Sequence, residues 1–181
     1  VYNPKTSLES DTLAAMNDCL YHRGPDEDGI LFDGPVGLAH KRLSIVGLDS
    51  GRQPIFNEDD TVCVIFNGEI YNYPELREQL ASAGHTFTTA TDTEVLVHLY
   101  EEHGPSFVNR LGGMFAFALW DTNKEHLLLA RDSMGIKPLL IANDGKPIAF
   151  ASELPALLES NLNHGGIAET SIAQYFGLGY I

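Results

Sequence analysis

The sequence predicts a mostly antiparallel α+β fold: strand-like segments outnumber helical ones, and the helical segments come in separated groups instead of alternating one for one with strands. The composition fits one soluble globular domain, with 181 residues, 44% apolar and 20% charged. No internal repeat or low-complexity segment interrupts it. A formal charge of -14, from 25 acidic against 11 basic residues, disfavours a nucleic-acid backbone or an anionic membrane as partner. No apolar run reaches membrane-spanning length, and the start Tyr2-Asn-Pro-Lys lacks the basic-then-apolar order of a secretory signal, so the expected location is cytoplasmic.

Each element has a local cause. Apolar Leu13, Met16, Cys19 and Leu20 recur at helical spacing between Leu8 and Arg23, before a Gly24-Pro25 stop. Gly29 to Phe32 and Val36 to Val46 read as strands around an Asp33-Gly34-Pro35 turn. Val62 to Phe66 is a continuous apolar run, as in a strand buried on both faces. Pro74 opens a helix that Gly84 closes. A second helix is expected from Asp92 to His103, started by a Thr91-x-x-Glu94 capping box. Met114 to Asp121, Glu125 to Arg131, Leu139 to Ala142 and Pro147 to Ser152 read as a β-meander, and Leu154 to Glu159 and Glu169 to Phe176 as helices.

Asn67-Gly68 has two readings. Between β-prone runs, Asn-Gly is a strong hairpin signal, because both residues tolerate positive φ. The pair also offers a side-chain amide and a backbone N–H, which together form an oxyanion hole if both point at one atom. Its company favours the second reading: Arg23-Gly-Pro-Asp26, His40-Lys-Arg-Leu-Ser-Ile-Val46, Thr91-Asp-Thr-Glu94, Gly113-Met-Phe-Ala-Phe-Ala-Leu-Trp-Asp121 and Arg131-Asp-x-x-Gly-Ile-Lys-Pro138 occur in that order.

Taken together these motifs resemble the glutamine-hydrolysing domain of the class II, N-terminal-nucleophile amidotransferases of the asparagine synthetase type. The resemblance covers nearly the whole chain. It implies an N-terminal-nucleophile hydrolase sandwich, in which two mostly antiparallel sheets stack between helical layers. It implies one type-2 glutamine amidotransferase domain over residues 1–181, ending where the chain would enter a synthetase domain. L-glutamine would give glutamate and ammonia, and the C-terminal domain would receive the ammonia and use ATP and Mg to amidate aspartate. No cofactor or metal is expected in this domain, and a homodimer is left open. Asn67 and Gly68 would form the oxyanion hole, Arg42 would clamp the α-carboxylate, Asp92 would counter the α-ammonium, and Ile45 and Glu69 would contact substrate. Ser133, where the family commonly has a basic residue, and Leu140, where it has Tyr, depart from the pattern.

Family members begin with a cysteine whose own α-amine, with a pKa of about 7.7 to 8.0, serves as base. This chain begins Val1-Tyr-Asn-Pro-Lys. Val1-Tyr2-Asn3 reads as the tail of the first strand, so the expectation is that the nucleophile and the start of that strand precede Val1. Cys19 and Cys63 are expected to be buried and structural. No histidine has metal-motif spacing; His98, one turn beyond Glu94, is expected to pair with it on the helix surface, and His22 and His40 to pack or hydrogen-bond. Arg23-Gly-Pro-Asp26 and Arg131-Asp132 read as turn and ion-pair scaffolding. Two rival functions remain open: a non-catalytic glutaminase-like binding module, or the amidotransferase domain of another amide- or lactam-forming synthetase.

Overall fold

A computed structural model of the chain describes residues 1–4, 9–43, 51–143, 145, 147–162, 166 and 168–179. Among these residues the order is α1 (Ser10–Asp18), a 3-10 turn (Tyr21–Arg23), β1 (Glu27–Asp33), β2 (Val36–Arg42), β3 (Ile55–Phe56), β4 (Val62–Ile70), α2 (Tyr73–Ala83) and α3 (Val95–His103). A second 3-10 segment (Gly104–Arg110), β5 (Gly113–Asp121), β6 (His126–Arg131), β7 (Leu140–Asn143), β8 (Ile148–Ala151), α4 (Leu154–Leu158) and α5 (Glu169–Leu178) follow. No helix of the described residues is long and apolar enough to cross a membrane.

One sheet has the order β3-β4-β5-β6, antiparallel throughout. The β1-β2 and β7-β8 hairpins are joined through Tyr2, which bridges Val36 on one side and Ile148 on the other. Val1 to Asn3 is therefore a central strand of the second sheet. The four-strand meander expected after Met114 is thus split, with β5 and β6 in one sheet and β7 and β8 in the other. Alternation along a strand specifies which side chains face a core, and it leaves open which sheet the strand joins.

Three apolar layers follow. Val36, Leu38, Cys63, Ala118, Trp120 and Phe150 fill the space between the sheets. Val64, Phe66, Leu96, Leu99, Tyr100, Phe107 and Leu119 pack the outer face of β4 and β5 against α2 and α3. Leu13, Met16, Ala149 and Leu157 pack the other sheet beneath α1 and α4. This is the expected arrangement of two stacked sheets between helical layers.

Other expectations change in detail. Asn67 and Gly68 lie inside β4, opposite Ala116 and Phe115, and form no hairpin. The long ladder with β5 outweighs the local turn tendency of Asn-Gly. Helix one ends at Asp18, and Cys19, its C-terminal cap, is only half-buried, whereas Cys63 is buried as expected. Burial first, and then the Asp33 carboxylate, push the Cys63 thiol up to about 12, so it is inert. α3 begins at Val95, without a capping box. The Glu94 carboxylate instead turns back to accept from the backbone N–H and hydroxyl of both Thr88 and Thr89, at 2.6–3.0 Å. Nor is His98 on a surface, since it and Glu94 are both buried.

Candidate active site

At one end of the inter-sheet layer the packing opens into a cavity of about 420 Å³. Small side chains make the room: Ala116 and Ala118, on the same β5 face as Trp120, line it. Arg42, Asn67, Gly68, Glu69 and Asp92 line it as well. Ile45 lies outside the described residues.

Strand periodicity explains the convergence. Cys63 and Ile65 face the inter-sheet layer, so Asn67, two residues on, is carried to the same face. In the same way Val36 and Leu38 carry His40 and Arg42 inward on β2. Arg42 is held firmly. Its Nη1 donates to Glu27 Oε2 at 2.7 Å, and its side chain is only 8% exposed. Gly24 lies so close that a Cβ there would sit 2.5 Å from the backbone of Lys41 and Arg42, while Asp26 N–H donates to Arg42 O at 3.1 Å. Arg23-Gly-Pro-Asp26 thus fixes the strand end that carries Arg42. A Cβ on Gly51 would collide with the guanidinium, so Gly51 packs directly on it.

The β4 edge facing away from β5 carries an ordered row of donors. Phe66 N–H donates to Gln53 Oε1 at 2.6 Å, and Ile70 N–H donates to Asp92 Oδ2 at 2.8 Å. Phe115 directs its own N–H and C=O towards Asp132, away from β4, so the Gly68–Phe115 pair is not hydrogen-bonded between its backbones. Alternation therefore points the Gly68 N–H to the same edge as those of Phe66 and Ile70, midway between them. A Cβ at Gly68 would strike the Met114 carbonyl, so only glycine fits there. Phe66 O, on the peptide that leads into Asn67, accepts from Gln53 Nε2 at 3.1 Å and from His40 Nε2 at 3.0 Å. A carbonyl only accepts, so the His40 proton is on Nε2.

Burial holds the His40 imidazole down to about 4, and nearby Arg42 adds to the effect, so this ring is neutral in the folded protein. Burial raises the Asp92 carboxyl, and the charge of Glu69 acts in the same direction. His40, Gln53 and Gly51 were not singled out in the sequence as site residues. His40 carried a usable signal, since i and i+2 share a strand face with Arg42, but Gln53 carried none. His22 pairs with Glu153, which also accepts from Arg23 at 2.7 Å. Asp132 accepts from the backbone N–H groups of Phe115, Met134, Ile136 and Lys137, and Arg131 donates to the Gly135 and Lys137 carbonyls. That motif is turn scaffolding, built from side-chain to backbone bonds where ion pairs were expected.

The chain matches the glutamine amidotransferase domain family over residues 1–181. It is 41% identical over 177 residues to asparagine synthetase [glutamine-hydrolyzing] 1 of Bacillus subtilis, covering 98% of this chain and 28% of that protein. It is 53% identical over 140 residues to asparagine synthetase [glutamine-hydrolyzing] 3 of Arabidopsis thaliana, covering 76% of this chain and 24% of that one. The chain thus spans about a quarter of the length of these relatives. Among solved structures it is similar to the glutamine phosphoribosylpyrophosphate amidotransferase of B. subtilis, with TM-score 0.58 and 27% identity over 71% of this chain and 30% of that one. The fold is that of the N-terminal-nucleophile amidotransferases, and the chain belongs to the glutamine amidotransferase domain family.

Proposed function

We propose that the chain is the glutamine-hydrolysing domain of an asparagine synthetase-like enzyme, releasing ammonia from L-glutamine for ATP- and Mg-dependent amidation of aspartate in a C-terminal domain. The observation that carries this reading is the convergence of a buried guanidinium, a carboxylate and the Asn67-Gly68 pair on one cavity. Arg42 matches the glutamine α-carboxylate with two parallel hydrogen bonds. Asp92, and Glu69 at the exposed rim, counter the α-ammonium. Asn67 Nδ2 and Gly68 N–H donate to the oxyanion that forms when a thiolate attacks the side-chain amide carbon. Collapse of that intermediate breaks the C–N bond, releases the protonated nitrogen as ammonia and leaves a thioester, which water hydrolyses to glutamate and the free thiol.

The nucleophile in this reading is an N-terminal cysteine ahead of Val1. Tyr2 pairs with Val36, and Val1 and Gly37 exchange N–H···O bonds at 2.7 and 2.8 Å. This antiparallel register carries preceding residues along β2 past Leu38 towards Arg42. The cavity is lined there by Leu13, Met16 and Asn17 of α1. The buried Asn17 Oδ1 has no hydrogen-bond partner among the described residues, and a neighbouring strand N–H would satisfy it. At the other end, α5 exposes Ile172, Tyr175, Phe176 and Leu178, an apolar face suited to a following domain.

Glutaminase assays on a Cys-first protein and its Cys→Ala variant test the reading. The expected outcome is loss of glutamine hydrolysis, with ammonia-dependent asparagine synthesis retained in the full-length enzyme. Unchanged hydrolysis in the variant would refute the mechanism, and no hydrolysis in the Cys-first protein would leave a binding module.

A further inference from the structure

We propose that Glu58, His85, His98 and Glu101 form a site for one divalent transition-metal ion of the zinc class. None of the four lines the glutamine cavity. Glu58 comes from the turn between β3 and β4, His85 from the residue after the Gly84 cap of α2, and His98 and Glu101 from one face of α3, so the site joins three segments. The ligand atoms of the four residues all lie within 4.8 Å of one another.

Four separations, in which Glu58 offers a different oxygen to each histidine, lie near the edge length of a coordination tetrahedron. His98 Nδ1 is 3.1 Å from Glu101 Oε2 and 3.3 Å from Glu58 Oε2. His85 Nδ1 is 3.4 Å from Glu58 Oε1 and 3.7 Å from Glu101 Oε2. Metal–ligand bonds of about 2.0–2.1 Å in tetrahedral geometry require ligand–ligand edges of about 3.3 Å. With the ligand atoms within 4.8 Å of one another, an ion draws the wider edges inward on binding.

Neighbouring groups hold the four side chains in these positions. Glu101 Oε1 accepts from Asn57 Nδ2 at 2.8 Å, leaving Oε2 turned to the two imidazoles, and Glu58 Oε1 accepts from Thr86 N–H at 2.9 Å. Each histidine has a carboxylate at its far nitrogen. His85 Nε2 meets Glu102 Oε1 at 3.1 Å, and His98 Nε2 faces Glu94 Oε1 at 3.8 Å, an electrostatic separation longer than a hydrogen bond. A carboxylate behind a ligating imidazole fixes its orientation and raises its basicity. The two rings lie 4.7 Å apart with both δ nitrogens turned to the same carboxylates. Two imidazole nitrogens select zinc-class ions over Mg²⁺ and Ca²⁺, which prefer oxygen ligands. This departs from the expectation of no metal, which rested on spacing along the chain: only His98-x-x-Glu101 is local.

The test is titration of the chelator-treated protein with Co²⁺ and Zn²⁺, read by visible absorption, calorimetry and thermal midpoint. One equivalent of Co²⁺ with a tetrahedral nitrogen/oxygen spectrum, displaced by Zn²⁺, and a midpoint that rises with Zn²⁺ but not with Mg²⁺ are expected. Binding should be lost in His85→Asn and reduced about 10- to 100-fold in Glu102→Gln, which alters the carboxylate behind His85. If His85→Asn does not fold, Glu101→Gln on the partly exposed side of the site serves in its place. The absence of stoichiometric binding, undiminished binding in the ligand variants, equal binding of Mg²⁺, or thiolate-to-cobalt charge transfer pointing to Cys19 or Cys63 would each overturn the proposal.

Discussion

The two ends of the inter-sheet layer are built from the same strands and serve opposite purposes. At one end Val36, Leu38 and Trp120 close the space, and Trp120 donates its indole N–H to Asp33 at 2.6 Å. At the other end β5 presents Ala116 and β2 presents His40 and Arg42, and Asn67 and Asp92 add further polar groups to the cavity lining. Close packing favours filling such a layer with apolar volume. Here one face of each strand changes from large and apolar to small or polar within a few residues. The site is therefore an under-filled part of the core, held in shape by its packed end.

The largest expected effect lies at the packed end. Trp120→Ala removes a 1% exposed indole and its hydrogen bond, and should lower the unfolding free energy by about 3–5 kcal/mol in urea denaturation. Ala116→Leu adds volume on the cavity side and should cost well under that, while blocking glutamine turnover in a Cys-first protein. Equal destabilisation by both would erase the distinction between the ends.

Next comes the proposed oxyanion hole. Asn67→Ala should lower kcat by roughly 10²- to 10³-fold with a much smaller change in KM. Because Asn67 lies in the middle of a strand, the thermal midpoint measured beside kcat should change little. A normal kcat per folded molecule would remove the amide from catalysis.

The sequence made much of the layer architecture legible, because its signals were local. Pro74 and Gly84 bound α2, Gly34 turns the β1-β2 hairpin at φ +53°, and alternation marked the buried faces. The discrepancies arose where a distant partner competed with a local preference. Asn67-Gly68 was pulled into a strand by nine residues of pairing with β5. Glu94 left its expected cap for Thr88 and Thr89. Gln53 offers its side-chain amide to the Phe66 backbone in a way no periodic pattern could announce. Of the proposed site residues, Arg42, Asn67, Gly68, Glu69 and Asp92 were found through whole-motif resemblance, since singly each fits an ordinary strand, turn or helix-cap role.

A smaller effect is expected at Arg42. Arg42→Lys keeps the charge but loses the planar fork, both towards substrate and towards Glu27. The expected loss in kcat/KM for glutamine is about 2 kcal/mol, or roughly thirtyfold, within the range for hydrogen bonds to charged groups. If kcat/KM stays unchanged in both Arg42→Lys and Arg42→Ala, the guanidinium is structural.

Smallest per pH unit is a stability slope, and it separates the cavity end from the packed end without any assay of activity. His40 is the half-buried titratable ring that donates to Phe66 O, and its pKa falls from 6.5 to about 4 on folding. Between those two values the unfolded chain binds a proton that the folded chain refuses. Stability from this residue is therefore intact above about pH 6.5, declines as pH falls towards about 4, and declines no further below that. One proton of difference sets an upper limit of about 1.4 kcal/mol per pH unit. His40→Gln keeps an N–H donor for Phe66 O and does not titrate, so the gap between its unfolding free energy and that of the unchanged protein should shift in its favour across that window. The comparison cancels the other histidines and carboxylates, which titrate alike in both proteins. Parallel curves would mean that His40 is hydrated, and that the cavity end is wetter and looser around the Phe66 peptide than the packed end of the same layer.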